Sequence, residues 1–355
     1  MLNYILKKLL YGLLVLVGVV VLVFFLFQGF GDPSRIVMGQ SGDSTTQANI
    51  RKELYLIDAK GEKIPKFKQF LYYLNDVSPL CFHTKQEITN KKLQGFFIGG
   101  EKKFGIKVPY LRKSYQSKRD VWNILMQALP GTIILAIAAM FIAILIGIPL
   151  GVVAAVKQNT WVDTSAIFSS IVGISAPSFF MGIIIAYLFG FVLSNWTGLY
   201  ISGSWFEIDE VTGEQTLSMQ NLILPAITLG IRPLAIITQL TRSSMLDVLD
   251  QDYIRTAYAK GLSKRTVIWK HGLRNALNPV ITAITGWFAE LLAGAFFVEY
   301  IFGWQGIGKV TVDALEKLDY PVVMGSVLIA AAFFILINIL ADILYGIIDP
   351  RVRIQ

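Results

Sequence analysis

The sequence holds little cysteine, little histidine and little charge. Its one cysteine, Cys81, cannot close an internal disulfide, so no loop in this chain is stapled. The two histidines, His83 and His271, lie far apart, and Cys81-x-His83 alone falls short of a ligand set, so no metal is expected. Only 16% of the 355 residues are charged, against roughly 25% in a soluble domain. That is too little to coat a water-facing surface of this size. A groove-reading motif is also missing, so the net charge of +8 does not point to DNA or RNA. The excess is local: residues 31–120 hold 17 Lys/Arg and 9 Asp/Glu, and the rest of the chain holds 15 of each.

Long apolar runs are what the chain does have. Hydrophobic residues make up 54% of it and the mean hydropathy is +0.57. Leu9 to Phe27 is nineteen apolar residues without a break, preceded by Lys7 and Lys8. It leaves through Gln28-Gly29-Phe30-Gly31-Asp32-Pro33 with no small-residue cleavage pattern, so it reads as an uncleaved anchor and not as a signal peptide. Five more spans are predicted: Ile124 to Val156, Ser165 to Leu193, Asn221 to about Thr241, Asn278 to Ile301, and Pro321 to Ile348. The expected fold is an all-α integral membrane protein with six transmembrane helices. Its parts are an anchor helix at 1–30, a long extracytoplasmic segment at 31–120, and a five-helix core at 121–355 containing a cytoplasmic loop at 242–277.

Orientation follows from the short loops. With both termini cytoplasmic, the inside holds Lys7, Lys8, Lys157, seven Lys/Arg in 242–277, Arg351 and Arg353, twelve in all. The short outside loops hold only Lys309 and Lys317. Twelve against two sets the direction, and a segment as long as 31–120 translocates largely regardless of its charge. Within that segment Leu54, Leu56, Ile57, then Phe67, Phe70, Leu71 and Leu74 give short helical periodicity, and Lys91 to Lys103 reads as loop.

The 242–277 segment is more than a connector. Asp252 is placed to cap a short helix and Gly261 to end it in a left-handed turn. Ile254, Ala257 and Tyr258 then share one face, and Ser263 is placed to cap a second helix ending before Asn278-Pro279. A short amphipathic helix with small residues at Thr256 and Ala257 suits docking into a partner's groove. A basic juxtamembrane loop touching anionic lipid is the plainer reading of the same charges.

Tyr253-Ile254-Arg255-Thr256-Ala257-Tyr258-Ala259-Lys260-Gly261 resembles the coupling segment of binding-protein-dependent ABC importer permeases, in its dipeptide and oligopeptide B-type form. Leu273-Arg274-Asn275-Ala276-Leu277-Asn278-Pro279, Leu240 to Leu246, the turn expected at Gly147-Ile148-Pro149-Leu150-Gly151, Gly303-Trp304-Gln305-Gly306-Ile307-Gly308 and Asp349-Pro350-Arg351-Val352-Arg353 extend the likeness over most of the chain. Arg255-Thr256-Ala257 stands where the wider family has Glu-Ala-Ala, and about 25 residues near Ser78–Lys102 look inserted. The resemblance implies a type I ABC importer permease fold in the bacterial inner membrane, and no catalysis by this chain. It also implies a second permease subunit forming a heterodimer, two cytoplasmic ATPases that bind ATP and Mg, an external solute-binding protein, surrounding membrane lipid, and a peptide substrate. Asp252, Tyr253, Ile254, Arg255, Thr256, Ala257, Tyr258, Lys260 and Gly261 would meet the ATPases. Glutathione, nickel and sugar importers share the architecture, and an ion-coupled secondary transporter is the rival class.

Three further acids and bases stand out. Arg232 and Glu290 both fall near mid-bilayer, where an unpaired Arg costs roughly 2.5–3.5 kcal/mol on insertion scales. They are expected to pair with each other or to line a water-filled pathway. Glu299 lies near a span end and matches the same branch, which suggests an ordering role at an outer gate. Gly303-x-x-x-x-Gly308-Lys309 nearly spells a phosphate loop, but Val310 stands where Ser or Thr should hold magnesium, so nucleotide binding is not expected there. Asn195-Trp196-Thr197 has the form of a glycosylation acceptor, which the bacterial resemblance discounts. The acidic stretch Glu207, Asp209, Glu210 and Glu214 either faces a basic patch on the binding protein or is simply solvated, the plainer reading.

Overall fold

The computed structural model describes residues 2–29, 51–52, 55–58, 61–204, 206–208 and 215–348. Leu54, Asp209, Glu210, Glu214 and the Asp349 to Arg353 stretch lie outside these. The chain starts with α1 (Leu2–Gly29), α2 (Lys66–Val77), β1 (Leu80–Thr84), α3 (Lys85–Lys91), β2 (Gly95–Ile98) and β3 (Lys102–Lys107). α4 (Val121–Val156), α5 (Trp161–Ser175), α6 (Ser178–Tyr187, prolonged by a π-turn to Val192), α7 (Ser194–Thr197) and a ribbon of β4 (Phe206–Ile208) and β5 (Gln215–Leu217) follow. Then come α8 (Gln220–Leu249), α9 (Asp252–Ala259), α10 (Lys264–Thr266), a π-turn over Val267–Gly272, α11 (Leu273–Gly294), α12 (Phe296–Ile301), α13 (Ile307–Glu316) and α14 (Tyr320–Ile348).

Among the described residues, four helices are long and apolar enough to cross a membrane: Leu6–Phe27 of α1, Val121–Val156, Gln220–Leu249 and Tyr320–Ala341 of α14. The run read as one span from Ser165 to Leu193 is instead two helices, α5 and α6, bent by 109°. The break has a local cause. Pro177 has no N–H to continue the helix, and Ala176 before it adopts the extended φ −74, ψ 131 that a following proline favours. The Asn278 to Ile301 run, read as one span, falls on two helices, α11 and α12, that break at Ala295; Asn278, Thr282, Thr285 and Glu290 dilute it, and it is not among the strongly apolar helices. The Gly147 to Gly151 stretch makes no turn; it lies inside the continuous α4, with Pro149 as an internal proline.

The chain folds as two compact units, Met1–Leu9 with Ala128–Lys309 and Phe333–Gln355, and Leu10–Gln127 with Val310–Ala332. In the first, the core joins Leu135, Ala139 and Ala143 of α4, Ile185 of α6, Leu224, Leu229 and Ile237 of α8, Val280 and Leu291 of α11, and Phe302 with Trp304. Glycine lets two of these helices approach closely. A Cβ at Gly151 would come 2.5 Å from Thr241 Cβ and 2.7 Å from the Thr238 carbonyl, and one at Gly230 would come 2.8 Å from the Ala139 carbonyl.

The second unit departs from an all-α chain. β1, β3 and β2 form an antiparallel sheet in that order, with Phe82 opposite Phe104 and Phe96 opposite Ile106. Much of the Lys91 to Lys103 stretch read as loop is therefore strand, because Phe96, Ile98, Phe104 and Ile106 alternate with a period of two. One face of the sheet buries Cys81, His83 and Lys107; the other exposes Leu80, Phe82, Phe96, Ile98, Phe104 and Ile106. α2 forms where Phe67 to Leu74 predicted a helix, but it buries Gln69, Tyr73 and Asp76 and leaves Phe67 and Leu71 exposed. Its Phe70 and Tyr73 rings pack against Phe24 of α1, edge-on at 5.3 Å and tilted at 5.4 Å between centroids. Leu56 and Ile57 are not helical; Ile57 bridges to Lys63 as extended chain.

Candidate functional site

At one end of α8 the chain turns into α9. Helix α9 is eight residues long and amphipathic. Asp252 is its first helical residue and not its cap. The N-cap is Gln251, with no side-chain capping bond. The C-terminus is as expected. Gly261 sits at φ +79, its N–H donates to the Tyr258 carbonyl and the Leu262 N–H donates to the Ala257 carbonyl, a double closure that needs a residue tolerant of the left-handed region. Ser263 accepts from the Thr266 N–H at 3.3 Å and so starts the next turn.

Ile254 and Ala257 are the buried residues of α9, packed with Val267 and the partly buried Val248 and Leu249. Ala257 thus faces its own chain and not a partner's groove. Tyr258, at the edge of that face, is 43% exposed. The opposite face presents Arg255 and Thr256, Tyr258 and Lys260 are exposed as well, and Arg255 reaches only the exposed Asp252, at 3.5 Å. Tyr253 ties the helix to its surroundings by accepting a hydrogen bond from the Asn275 amide of α11 at 2.8 Å. So α9 is clamped from beneath by two apolar residues and one hydrogen bond, with a polar, partly basic face left open.

The second cluster surrounds Glu299 of α12, which is 0% exposed. Its Oε1 accepts from the Thr132 hydroxyl of α4 at 2.7 Å, and its Oε2 accepts from the Lys309 N–H at 3.1 Å. The Thr132 hydroxyl in turn accepts from the Ile307 N–H at 2.9 Å, and Trp304 Nε1 donates to the Gly131 carbonyl at 2.9 Å. The glycines that suggested a phosphate loop have a different purpose here. A Cβ at Gly306 would come 2.4 Å from the Glu299 carboxyl, and one at Gly308 would come 2.5 Å from Phe296 Cα. The loop wraps an internal carboxylate, and donors alone meet its two oxygens.

Arg232 and Glu290 are both exposed and form no ion pair with each other. The Arg232 guanidinium lies over the Trp287 ring, 5.5 Å from its centroid, one helical turn from Glu290. The indole face takes the cation, which corrects the expected pair and leaves the pathway alternative. A different pair, missed in the sequence, is well formed. Asp163 of α5 receives the Arg242 guanidinium of α8 in a two-pronged contact, with Nη2 to Oδ2 at 2.7 Å, and the Asn159 N–H adds a third bond at 3.0 Å. Two opposite charges at neighbouring ends of apolar runs were the available signal. Thr132 had none beyond one hydroxyl in an apolar run.

Residues 147–354 match the family of binding-protein-dependent transport system inner membrane components. That is more than half of the chain, and the chain belongs to this family of ABC importer permeases. At the level of individual relatives, it is 35% identical to the dipeptide transport system permease protein DppB of Escherichia coli (strain K12) over 99% of each chain. It is 42% identical to DppB of Haemophilus influenzae over 68% of this chain and 76% of the relative. The glutathione transport system permease protein GsiC of Salmonella typhimurium is 35% identical over 99% of each.

Proposed function

We propose that this chain is a membrane-spanning subunit of an ATP-driven importer and forms half of the path for di- and oligopeptides handed over by an external binding protein. It crosses the inner membrane six times with both termini in the cytoplasm. Residues 31–120 then lie outside and α9 inside. The twelve-to-two bias of Lys and Arg in the short loops supports this orientation. The single observation that carries the function is α9: a short helix gripped from below by Ile254 and Ala257, with a free polar face, inside the part of the chain the family matches.

In this reading a pair of ATPases binds ATP and Mg and grips Asp252, Tyr253, Arg255, Thr256, Tyr258 and Lys260. Movement of α9 reaches α8 through Val248 and Leu249, and α11 through Val267 and the Tyr253–Asn275 bond. α11 leads on to α12 and Glu299, whose cradle orders the outer gate. Arg232 and Glu290 line the pathway. Nucleotide and the loaded binding protein each bias one side of an inward/outward equilibrium, by no more than their differential affinity for its two forms. A second, different permease completes the pathway.

The test is uptake of a labelled dipeptide into vesicles holding the assembled importer. Uptake should be blocked by vanadate and survive a protonophore, and Arg255→Glu should abolish it without loss of protein. Uptake that collapses with a protonophore alone would instead favour an ion-coupled carrier. The likeness to a glutathione permease keeps that substrate open, along with nickel or sugars, and competition by unlabelled glutathione in the same vesicles decides it.

A further inference from the structure

The second unit contains a cationic recess that neither the coupling helix nor the carboxylate cradle involves. It measures about 500 Å³ and is lined by Lys92, Lys113, Lys118, Arg119, Asp120, Asn123, Met126 and Gln127. Four cations face one carboxylate, and none of the four forms an ion pair among the described residues. The Arg119 guanidinium is steered by a bond from Nη2 to the Gln127 amide oxygen at 2.8 Å.

The loop that carries two of these cations is held in place. The buried Asp319 carboxylate accepts from the Ser114 hydroxyl, from the Tyr115 N–H at 2.9 Å and from the Gln116 N–H at 3.4 Å. The Gln116 side chain also donates to the Lys317 carbonyl at 2.9 Å. Lys118 is held at φ +58, a conformation a lysine adopts only when its surroundings impose it. So the cations are pre-positioned, which lowers the entropy lost when they meet an anion.

Depth identifies the anion. Asn123, Met126 and Gln127 form the wall of the recess and sit in the first two turns of α4, an apolar helix of 36 residues. Asp319, which fastens the loop, directly precedes the equally apolar α14. The recess therefore sits where two spans enter the bilayer, at headgroup level.

We propose that it binds the phosphodiester of an anionic phospholipid, with Lys113, Lys118 and Arg119 on the phosphate and Met126 beside the upper acyl chain. The assignment to the outer leaflet rests on the proposed orientation; binding itself does not. An anionic lipid held here would tie the Ser114–Arg119 loop, and with it the Asp319 end of α14, to the membrane surface.

The test uses the full chain in nanodiscs of phosphatidylcholine with one part in five of phosphatidylglycerol, followed by mass spectrometry of the lipids retained through detergent exchange. Each Lys or Arg near an anionic surface contributes roughly fivefold. Combined Lys113→Gln, Lys118→Gln and Arg119→Gln should therefore lower selective retention of phosphatidylglycerol by at least about tenfold. The control removes equal charge from Lys85, Lys102 and Lys103, away from the recess, and should leave retention unchanged. Equal losses in both sets would mean diffuse attraction and overturn the site. Millimolar inorganic phosphate that stabilises the chain in pure phosphatidylcholine as much as phosphatidylglycerol does would overturn the lipid in favour of a soluble anion. Should the triple variant fail to fold, Lys118→Gln alone, on an exposed side chain, must still lower retention. None of these readouts depends on transport, so they can fail while the importer reading stands.

Discussion

Replacing Thr132 by Val tests the carboxylate cradle, because the shape is nearly kept while two hydrogen bonds are removed. In the wild type the Thr132 hydroxyl donates to Glu299 Oε1 at 2.7 Å and accepts from the Ile307 N–H at 2.9 Å. Thr132 is 2% exposed and Glu299 0%, so water does not replace either bond. A bond to a charged group is worth roughly 1.5–3 kcal/mol, and the lost bond from the Ile307 N–H adds roughly 0.5–1.5 kcal/mol. Thr132→Val should therefore destabilise by about 3 kcal/mol. Thr132→Ser keeps both bonds and removes one methyl, so it should lose about 1 kcal/mol. Denaturant unfolding of the two variants in the same detergent gives the comparison. A cycle with Glu299→Gln should return a coupling of about 1–3 kcal/mol, since the two side chains touch. If Thr132→Val is no less stable than Thr132→Ser, the hydroxyl is not bridging the loop to the carboxylate, and the cradle has no energetic content.

Further consequences are checked in the same way. Asp163→Ala strands the Arg242 guanidinium and should cost about 3 kcal/mol, whereas adding Arg242→Ala should recover part of it; thermal unfolding of the three variants reads this. Gly261→Ala meets no atom within 4 Å, so its penalty is the left-handed backbone alone, about 1 kcal/mol, and should appear as faster hydrogen exchange confined to α9. Burial pulls the Lys107 ammonium down to about 8 from 10.5. Between these values the unfolded chain holds a proton that the folded one has released, so stability rises with pH, by up to about 1.4 kcal/mol per unit. Below pH 8 this group adds no slope. Between pH 8 and 9.5 the wild type should gain on Lys107→Met in thermal unfolding; Cys81 and Tyr73, whose pKa values burial raises, slope the other way in both proteins.

The long apolar runs made the helices legible, because a lipid-facing helix announces itself by length and composition alone. What those runs hid was where a helix breaks. Pro149 and Pro177 look alike in sequence, yet α4 runs straight through the first while the chain bends by 109° at the second. Each proline forfeits one backbone bond. The outcome turns on what packs around it, and Gly147 and Gly151 press α4 against α8 on either side of Pro149. The three-stranded sheet was hidden for another reason. Its strands have four to six residues, and their apolar side chains point outward, so alternation marks an exposed face where it usually marks a core.

The two ends of the site were unequally legible for a related reason. α9 is built from neighbours in sequence, and Gly261 and the i, i+3 pair Ile254 and Ala257 specify it locally. The Glu299 cradle joins residues 132, 299, 307 and 309, and the partner of its carboxylate is a threonine 167 positions away. Spacing can mark the glycines of such a loop but not the group they enclose. Gly303 to Gly308 therefore looked like half of a phosphate site: close backbone approach needs the same glycines whether the anion is a ligand or a glutamate of the same chain. Arg232 and Glu290 show the converse. Opposite charges at similar depth invite pairing, but the Trp287 ring one turn away already satisfies the cation, and sequence separation carries no record of which face of a helix an indole covers.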